Sequence, residues 1–86
     1  MSLYKVEIKA SARKELRRLD GPIRKRVVAA IADLADAPRP DGCKKLKARD
    51  GYRIRVGDHR VVYTVDDGQI TVVVIKVGPR GDVYDR

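Results

Sequence analysis

The sequence predicts an α+β fold in which an N-terminal strand and a helical hairpin precede a three- to four-stranded antiparallel sheet, in the order β-α-α-β-β-β. Apolar and polar residues alternate near the N-terminus, and apolar residues then recur at helical spacing. The second half holds β-branched stretches separated by Gly57-Asp58 and by Asp66-Asp67-Gly68, which are typical hairpin turns. A chain of 86 residues suits one domain, residues 1–86, with a small core.

The first strand and the first helix are predicted by a change of period. Residues 3–9 alternate between apolar and charged side chains, which predicts a strand with one buried face. Ser11 is the predicted N-cap of the helix that follows. The apolar positions of that helix are Ala12, Leu16 and Leu19.

The second helix has the clearest pattern in the chain. Pro22 suits its first turn, where the missing N–H leaves no hydrogen bond unmade. Residues 37–40 contain two prolines and end the helix. Its apolar face consists of Ile23, Val27, Ala30, Ile31 and Leu34, which follow helical spacing.

Three strands follow a loop that runs from Asp41 to Gly51, in which Leu46 anchors a short edge strand. Residues 52–56 and 60–65 form the first hairpin. Residues 69–77 are β-branched on both faces, so we expect this strand in the centre of the sheet.

The composition favours a polyanionic partner. The net charge is +8 and the pI is about 10, which is typical of proteins that bind RNA, DNA or acidic proteins. Cys43 is the single cysteine and His59 the single histidine, so we expect no disulfide, metal or other cofactor. No apolar run reaches the ~18 residues of a membrane span, and we expect a cytoplasmic protein with no membrane partner.

Basic residues are concentrated in the loop and in the first hairpin. Arg53 and Arg55 are two residues apart and therefore point to one face of a strand, and Arg60 of the next strand joins them if the hairpin pairs in register. Guanidinium groups match the geometry of phosphate, so this face is a candidate phosphate site. The alternative is a solvated polar face. The loop contributes candidate RNA- or ribosome-binding cations, namely Lys44, Lys45, Lys47 and Arg49.

The chain resembles the RelE/ParE superfamily of bacterial and archaeal toxins over nearly its whole length. The motifs that carry the resemblance are the hairpin of residues 52–63 and the ending from Lys76-Val77-Gly78-Pro79-Arg80 to Val83-Tyr84. The resemblance implies the fold described above and a toxin of a type II toxin–antitoxin system. RelE-like members are messenger-RNA endonucleases that act on the ribosome, whereas ParE-like members poison DNA gyrase.

The resemblance also implies the site residues. The RelE branch has basic residues at the positions of Arg53, Arg55, Arg60 and Arg80 and a tyrosine at that of Tyr84, which makes these five the candidate catalytic residues. Well-known members have lysine in place of Arg53 and Arg55. Arginine keeps its proton in proteins, so both positions have an electrostatic role here.

The resemblance further implies a metal-independent endoribonuclease in which the 2′-OH attacks the adjacent phosphate. Its partners would be a RelB-like antitoxin with an acidic amphipathic segment, the ribosome and messenger RNA, and operator DNA only as a complex with the antitoxin. We expect the apolar helix faces and the basic sheet face to bind the antitoxin. Two alternatives stay open: a ParE-like gyrase inhibitor, and a weakly active domain that binds RNA and antitoxin.

Several single-residue alternatives also stay open. Arg60 could pair with Asp58 across the turn, Arg80 could be a surface charge, and Tyr84 could cover the edge of the sheet. Strand alternation directs His59 away from Arg60, so a catalytic His59 is disfavoured.

Overall fold

Five strands form one mixed sheet, and two helices pack against one of its faces. The structure is a computed structural model that describes residues 3–47 and 49–79. Its elements are β1 (Lys5–Ile8), α1 (Ala10–Arg17), α2 (Gly21–Asp33), β2 (Lys44–Lys45), β3 (Tyr52–Val56), β4 (His59–Asp66) and β5 (Thr71–Pro79). The spatial order of the strands is β1-β5-β4-β3-β2.

The sheet confirms the predicted α+β fold and adds a parallel edge. Strands β2, β3, β4 and β5 are antiparallel to one another, and β1 runs parallel to β5 with Lys5 paired to Thr71. The two intervening helices form the crossover that a parallel pair requires. β5 lies inside the sheet as predicted, but the middle position belongs to β4.

Helix α1 begins earlier than the sequence suggested, so the prediction of Ser11 as its N-cap is wrong. Lys9 is the N-cap, with an extended backbone, and its carbonyl accepts the Arg13 N–H at 2.9 Å. Ser11 lies within the first turn, where no side chain caps the helix. Because Lys9 N–H donates to the Val74 carbonyl, the end of β1 passes directly into the helix.

The core lies between the helices and the sheet. It joins the apolar faces of α1 and α2 to the inward residues of β3, β4 and β5, among which Val61, Tyr63, Val72 and Val74 have no exposed surface. The predicted apolar helix faces therefore exist, but they are buried against the sheet. The expectation that they bind the antitoxin is wrong for the buried residues Ala12, Leu16, Val27, Ile31 and Leu34.

A β-bulge shapes the second half of β5. Val62 pairs with Lys76 and Tyr63 pairs with Val74, which leaves Ile75 as an additional residue. As a result, Val74 and Val77 both reach the core although they are three residues apart.

The part of β5 that extends beyond the end of β1 is bound by helix α1 instead. There the Glu15 carboxylate accepts hydrogen bonds from the Val77 N–H at 2.8 Å and from Lys76 Nζ at 3.2 Å.

Both ends of β5 differ slightly from the prediction. Ile70 has a φ of 51°, in the left-handed region, so the turn continues to this residue and β5 begins at Thr71. At the other end β5 continues through Gly78 to Pro79. Among the described residues, no helix is long and apolar enough to cross a membrane.

Candidate nucleic-acid interface

Three arginines share the face of the sheet that the helices leave uncovered. Arg55 of β3 pairs directly with Arg60 of β4, and Arg53 pairs with Val62. Paired residues of neighbouring strands point to the same side, and residues two apart do so along a strand. We call the surface formed by Arg53, Arg55 and Arg60 the arginine face.

The hairpin turn brings these residues together. Val56 pairs with His59, which leaves Gly57 and Asp58 as a two-residue loop. Gly57 has a φ of 59°, the positive value that a type II′ turn requires at its first central position. This short loop fixes the register that places Arg55 opposite Arg60.

The three arginines differ in exposure. Arg55 is exposed, whereas Arg53 and Arg60 are half-buried, and Arg60 Nε is inaccessible to solvent. Partly buried guanidinium groups are held in place by packing and interact with charge through a lower dielectric. The arginine face can therefore present cations of fixed position to an anion.

One lysine of the loop extends the arginine face. Lys44 of the edge strand β2 pairs with Arg53 and so belongs to the same face. Lys45 pairs with Tyr52 and belongs to the other side of that strand. Lys47 and Arg49 are exposed in the loop that follows.

A second, smaller apolar cluster holds this loop on the arginine face. Leu46 and Val62 are 4% and 3% exposed and pack together on the side opposite the main core. Leu46 N–H donates to the Gly51 carbonyl at 3.0 Å. The arginine face thus contains an apolar anchor, which the charge pattern of the sequence did not indicate.

The remaining candidate residues, Arg80 and Tyr84, lie outside the described residues. The strand that leads to them ends beside the hairpin turn, because Gly78 pairs with Arg60 and Pro79 pairs with His59. Gly78 has no side chain and is buried opposite Arg60.

His59 is directed away from the arginine face, as strand alternation predicted. It lines a cleft of about 680 Å³ between the helices and the end of β5, together with Glu15, Lys76 and Pro79. Its Nδ1 atom is buried and has no hydrogen-bond partner within residues 3–47 and 49–79.

The comparisons with known proteins agree in one family. Residues 6–84 match the family model described as the ParE toxin of the type II toxin–antitoxin system parDE. The chain belongs to the RelE/ParE family of type II toxins. This confirms the resemblance that the hairpin and the chain ending predicted.

Individual relatives carry RelE-type names. The toxin is 34% identical to Toxin RelG of Mycobacterium tuberculosis over 96% of this chain and 98% of the relative. It is 33% identical to a putative RelE-like toxin protein of Escherichia coli over 95% and 90% of the two chains. A solved structure of the archaeal RelE–RelB complex from Pyrococcus horikoshii OT3 has a TM-score of 0.79 at 28% identity, covering 94% of this chain and 99% of that one.

Two residues near the site of this toxin were missed by the sequence reasoning. Glu15 ties α1 to the end of β5, and the signal available for it was a carboxylate within a run of basic residues. Arg26 of α2 reaches the hairpin turn, where its Nη1 would lie 3.5 Å from a Cβ added at Gly57. Nothing in the helical periodicity indicated that Arg26 comes near the first hairpin.

The toxin has a polar network at the other end of the sheet. Arg39 donates to both carboxylate oxygens of Asp67, at 3.2 and 2.9 Å, and to the Tyr52 hydroxyl at 3.0 Å. The Tyr4 hydroxyl donates to Asp67 at 2.6 Å. The hydrogen bonds from Arg39 and then from Tyr4 hold the pKa of Asp67 below its usual range. The network ties the segment after α2 to the β4–β5 turn.

Proposed function

We propose that this toxin is a ribosome-dependent messenger-RNA endonuclease whose arginine face binds the scissile phosphate. The observation that carries the proposal is the direct pairing of Arg55 with Arg60 beside half-buried Arg53. Guanidinium groups bind phosphate through two parallel hydrogen bonds, so three of them on one face suit a phosphate group.

The proposed reaction uses the RNA as its own nucleophile. The 2′-oxygen attacks the adjacent phosphorus, the bond from phosphorus to the 5′-oxygen breaks, and a 2′,3′-cyclic phosphate forms. The 2′-hydroxyl loses its proton to solvent hydroxide, and the leaving 5′-oxygen takes up a proton from water, which regenerates the hydroxide. Arg53 and Arg55 remain protonated throughout and orient the backbone.

The contribution of the toxin is then electrostatic and geometric. Negative charge grows on the phosphate oxygens in the transition state, and donors placed in advance stabilise it, each typically by about 10²–10³ in rate. We assign this role to Arg60 and Arg80, and Arg80 is the better candidate for assisting the leaving oxygen. Tyr84 would stack on a base or form a hydrogen bond near the 2′-hydroxyl. The ribosome would hold the message in the in-line geometry that free RNA seldom adopts.

The loop cations would hold the toxin on RNA without reading its sequence. Lys44, Lys45, Lys47 and Arg49 are all exposed, and exposed cations bind the phosphate backbone irrespective of sequence. Since its target would be the translating ribosome, we place the toxin in the cytoplasm.

A RelB-like antitoxin is the proposed inhibitor. The similar archaeal RelE was solved as a complex with RelB. An acidic amphipathic segment is complementary to the arginine face and to the cleft beside Glu15 and His59, which has both charged and apolar walls. Operator DNA would be bound only by the complex of toxin and antitoxin.

Primer extension on a reporter message in a reconstituted bacterial translation system tests this function. The toxin is compared with its Arg60→Gln and Arg80→Ala variants, each with and without ribosomes. We expect cuts that need ribosomes, keep codon register and fall at least about 100-fold in the variants. An intact message and undisturbed translation at full toxin concentration would refute the proposal.

A gyrase inhibitor is the second candidate, because the matched family model describes a ParE toxin. In that case the arginine face would bind protein or DNA and no RNA would be cut. A supercoiling assay with purified gyrase separates the two functions, since only the second predicts loss of supercoiling in the absence of ribosomes.

A further inference from the structure

The two helices carry a second basic surface on the opposite side of the molecule from the arginine face. Residues 10–26 contain seven cations and two carboxylates. All seven cations are exposed, and the helices that carry them cover the other face of the sheet. We call this surface the helical basic surface, and it consists of Arg13, Lys14, Arg17, Arg18, Arg24, Lys25 and Arg26.

The carboxylates of the described residues form no ion pair with these cations. Within residues 3–47 and 49–79, the ion pairs are Lys5–Glu7, Arg39–Asp67 and Lys76–Glu15, and none includes a member of the helical basic surface. Glu15 lies among the basic residues of α1 but is directed to Val77 and Lys76.

Helix stability accounts for only part of this charge. Lys14 and Arg17 lie in the last turn of α1, where the helix dipole favours cations. Arg24, Lys25 and Arg26 lie in the N-terminal half of α2, where the dipole does not stabilise cations and the first turn has no acidic residue. Like charges four residues apart, such as Arg13 and Arg17, also repel each other.

One contact joins the cations of α1 and α2 into a single surface. Arg24 Nη1 donates to the carbonyls of Leu19 at 3.2 Å and of Arg17 at 3.5 Å. The side chain of Arg24 thus caps the end of α1 and holds the start of α2 against it.

The chemistry of the helical basic surface selects a phosphate backbone. Five of the seven cations are arginines, which bind phosphate through two parallel hydrogen bonds. Residues 10–33 include no aromatic, Asn or Gln side chain that would read or stack on a base. A membrane would need several bulky apolar side chains on the outer face, whereas the apolar faces of these helices are buried in the core and Val28 is their one exposed large apolar side chain.

We propose that the helical basic surface binds the sugar–phosphate backbone of duplex RNA while the arginine face holds the message. The choice of RNA rests on the proposed function, because the ribosome surrounds a bound protein with RNA duplexes. The toxin would then have two independent nucleic-acid surfaces, one for positioning and one for cleavage.

The test uses a triple variant that combines Lys14→Gln, Arg17→Gln and Lys25→Gln. These positions are chosen because none of the three side chains donates a hydrogen bond to another described residue of the toxin. Its matched control keeps the charge, with Lys14→Arg, Arg17→Lys and Lys25→Arg. Binding to a 20-base-pair RNA duplex is measured by fluorescence anisotropy across a salt series, without ribosomes. Thermal unfolding verifies that both variants are folded, and the three single variants replace the triple variant if it is not.

We expect the neutral variant to bind about 10-fold or more weakly at 0.1 M salt, equally for duplexes of different sequence. The slope of log K against log salt should fall by about 2 to 3, as three lost phosphate contacts predict, while the control retains the slope. A slope equal to that of the unaltered toxin would overturn the proposal, as would equal weakening in the charge-retaining control.

Parallel titrations distinguish RNA from other polyanions. A DNA duplex of the same sequence, phosphatidylglycerol vesicles and a polyglutamate peptide replace the RNA in parallel titrations. Tighter or equal binding to any of them, with the same loss in the neutral variant, would overturn the assignment to RNA. Because this assay needs no cleavage, it can succeed when the endonuclease proposal fails, and the reverse also holds.

Discussion

Arg55 and Arg60 lie directly opposite each other on β3 and β4, so two guanidinium groups of like charge form a cross-strand pair. Like charges in this position destabilise a sheet by about 0.2–1 kcal/mol. The turn at Gly57 fixes this register, and a shift by one residue would turn the apolar side chains of the hairpin out of the core. The register therefore holds the two guanidinium groups side by side, where both can contact one bound anion.

The first prediction is that Arg55→Gln stabilises the toxin while impairing it. Removal of one member of the like-charged pair should raise the free energy of unfolding by about 0.2–1 kcal/mol, since Arg55 is exposed and its loss opens no cavity. Urea unfolding at low and high salt measures this, and the gain should shrink as salt screens the repulsion. Primer extension should show weaker cleavage by the same variant.

Lys5→Gln is the matched control for this prediction, because Lys5 is an exposed cation on the strand at the far edge of the sheet. It should change stability by less than about 0.5 kcal/mol and leave cleavage unaltered. A less stable Arg55→Gln variant would show that Arg55 is held by favourable contacts, contrary to the repulsion inferred from the pairing.

The second prediction concerns Glu15, whose carboxylate satisfies the Val77 N–H beyond the end of β1. Glu15→Ala leaves this half-buried donor without an acceptor and should cost about 1–3 kcal/mol of unfolding free energy. Glu15→Gln keeps an acceptor oxygen and loses only the charge toward Lys76, so it should cost less. Chemical denaturation of the three proteins provides the comparison, and equal stabilities would show that water replaces the carboxylate.

The sequence predicted those parts of the fold that depend on local pattern. Alternation and the two-residue loop sufficed to place Arg53, Arg55 and Arg60 on one face, because side-chain direction in a strand has a period of two. The bulge at Ile75 and the contact of Glu15 with Val77 depend on which elements meet in space, and no local pattern encodes that. Ser11 failed as a cap because the pairing of β1 with β5 fixes where α1 begins, and this tertiary constraint overrode the local preference.

The third prediction compares two glycines. Gly51 has a φ of 134°, and a Cβ at this position would lie 2.8 Å from the Tyr63 carbonyl oxygen. Gly51→Ala should therefore cost about 1–3 kcal/mol and loosen the loop that carries Lys47 and Arg49. Gly21→Ala is the control, since Gly21 begins α2 with nothing within 4 Å, and it should stabilise the toxin by about 0.4–1 kcal/mol. The melting temperatures of both variants are measured by thermal unfolding. A shift of both in the same direction would refute the strain at Gly51.

The fourth prediction is a pH dependence of stability that comes from Asp67. Its pKa is lower in the folded than in the unfolded state because Arg39 and Tyr4 donate to the ionised carboxylate. The contribution of this group is therefore present above the unfolded pKa of about 3.9 and is lost as the pH falls through the lower folded pKa. Melting temperatures between pH 2 and 7 should fall less steeply at the acid end for Asp67→Asn than for the unaltered toxin. If the two proteins lose stability equally at low pH, the network contributes nothing at equilibrium. Cleavage should be unchanged, because Asp67 lies in the β4–β5 turn and is not part of the arginine face.

The fifth prediction follows from arginine at two positions where well-known RelE toxins have lysine. Arg53 and Arg55 keep their protons, so the 2′-hydroxyl must lose its proton to solvent hydroxide, and single-turnover cleavage should accelerate about tenfold per pH unit between pH 6 and 8.5. Arg55→Lys introduces a group whose pKa is lowered by the like charge of Arg60 opposite it, and which can therefore accept the proton of the 2′-hydroxyl when it is neutral. Cleavage by this variant should be faster at pH 7 and should level off at higher pH, where the lysine is already neutral. A bell-shaped or flat profile for the unaltered toxin would reveal a general base within the protein and would refute the purely electrostatic role of the two arginines.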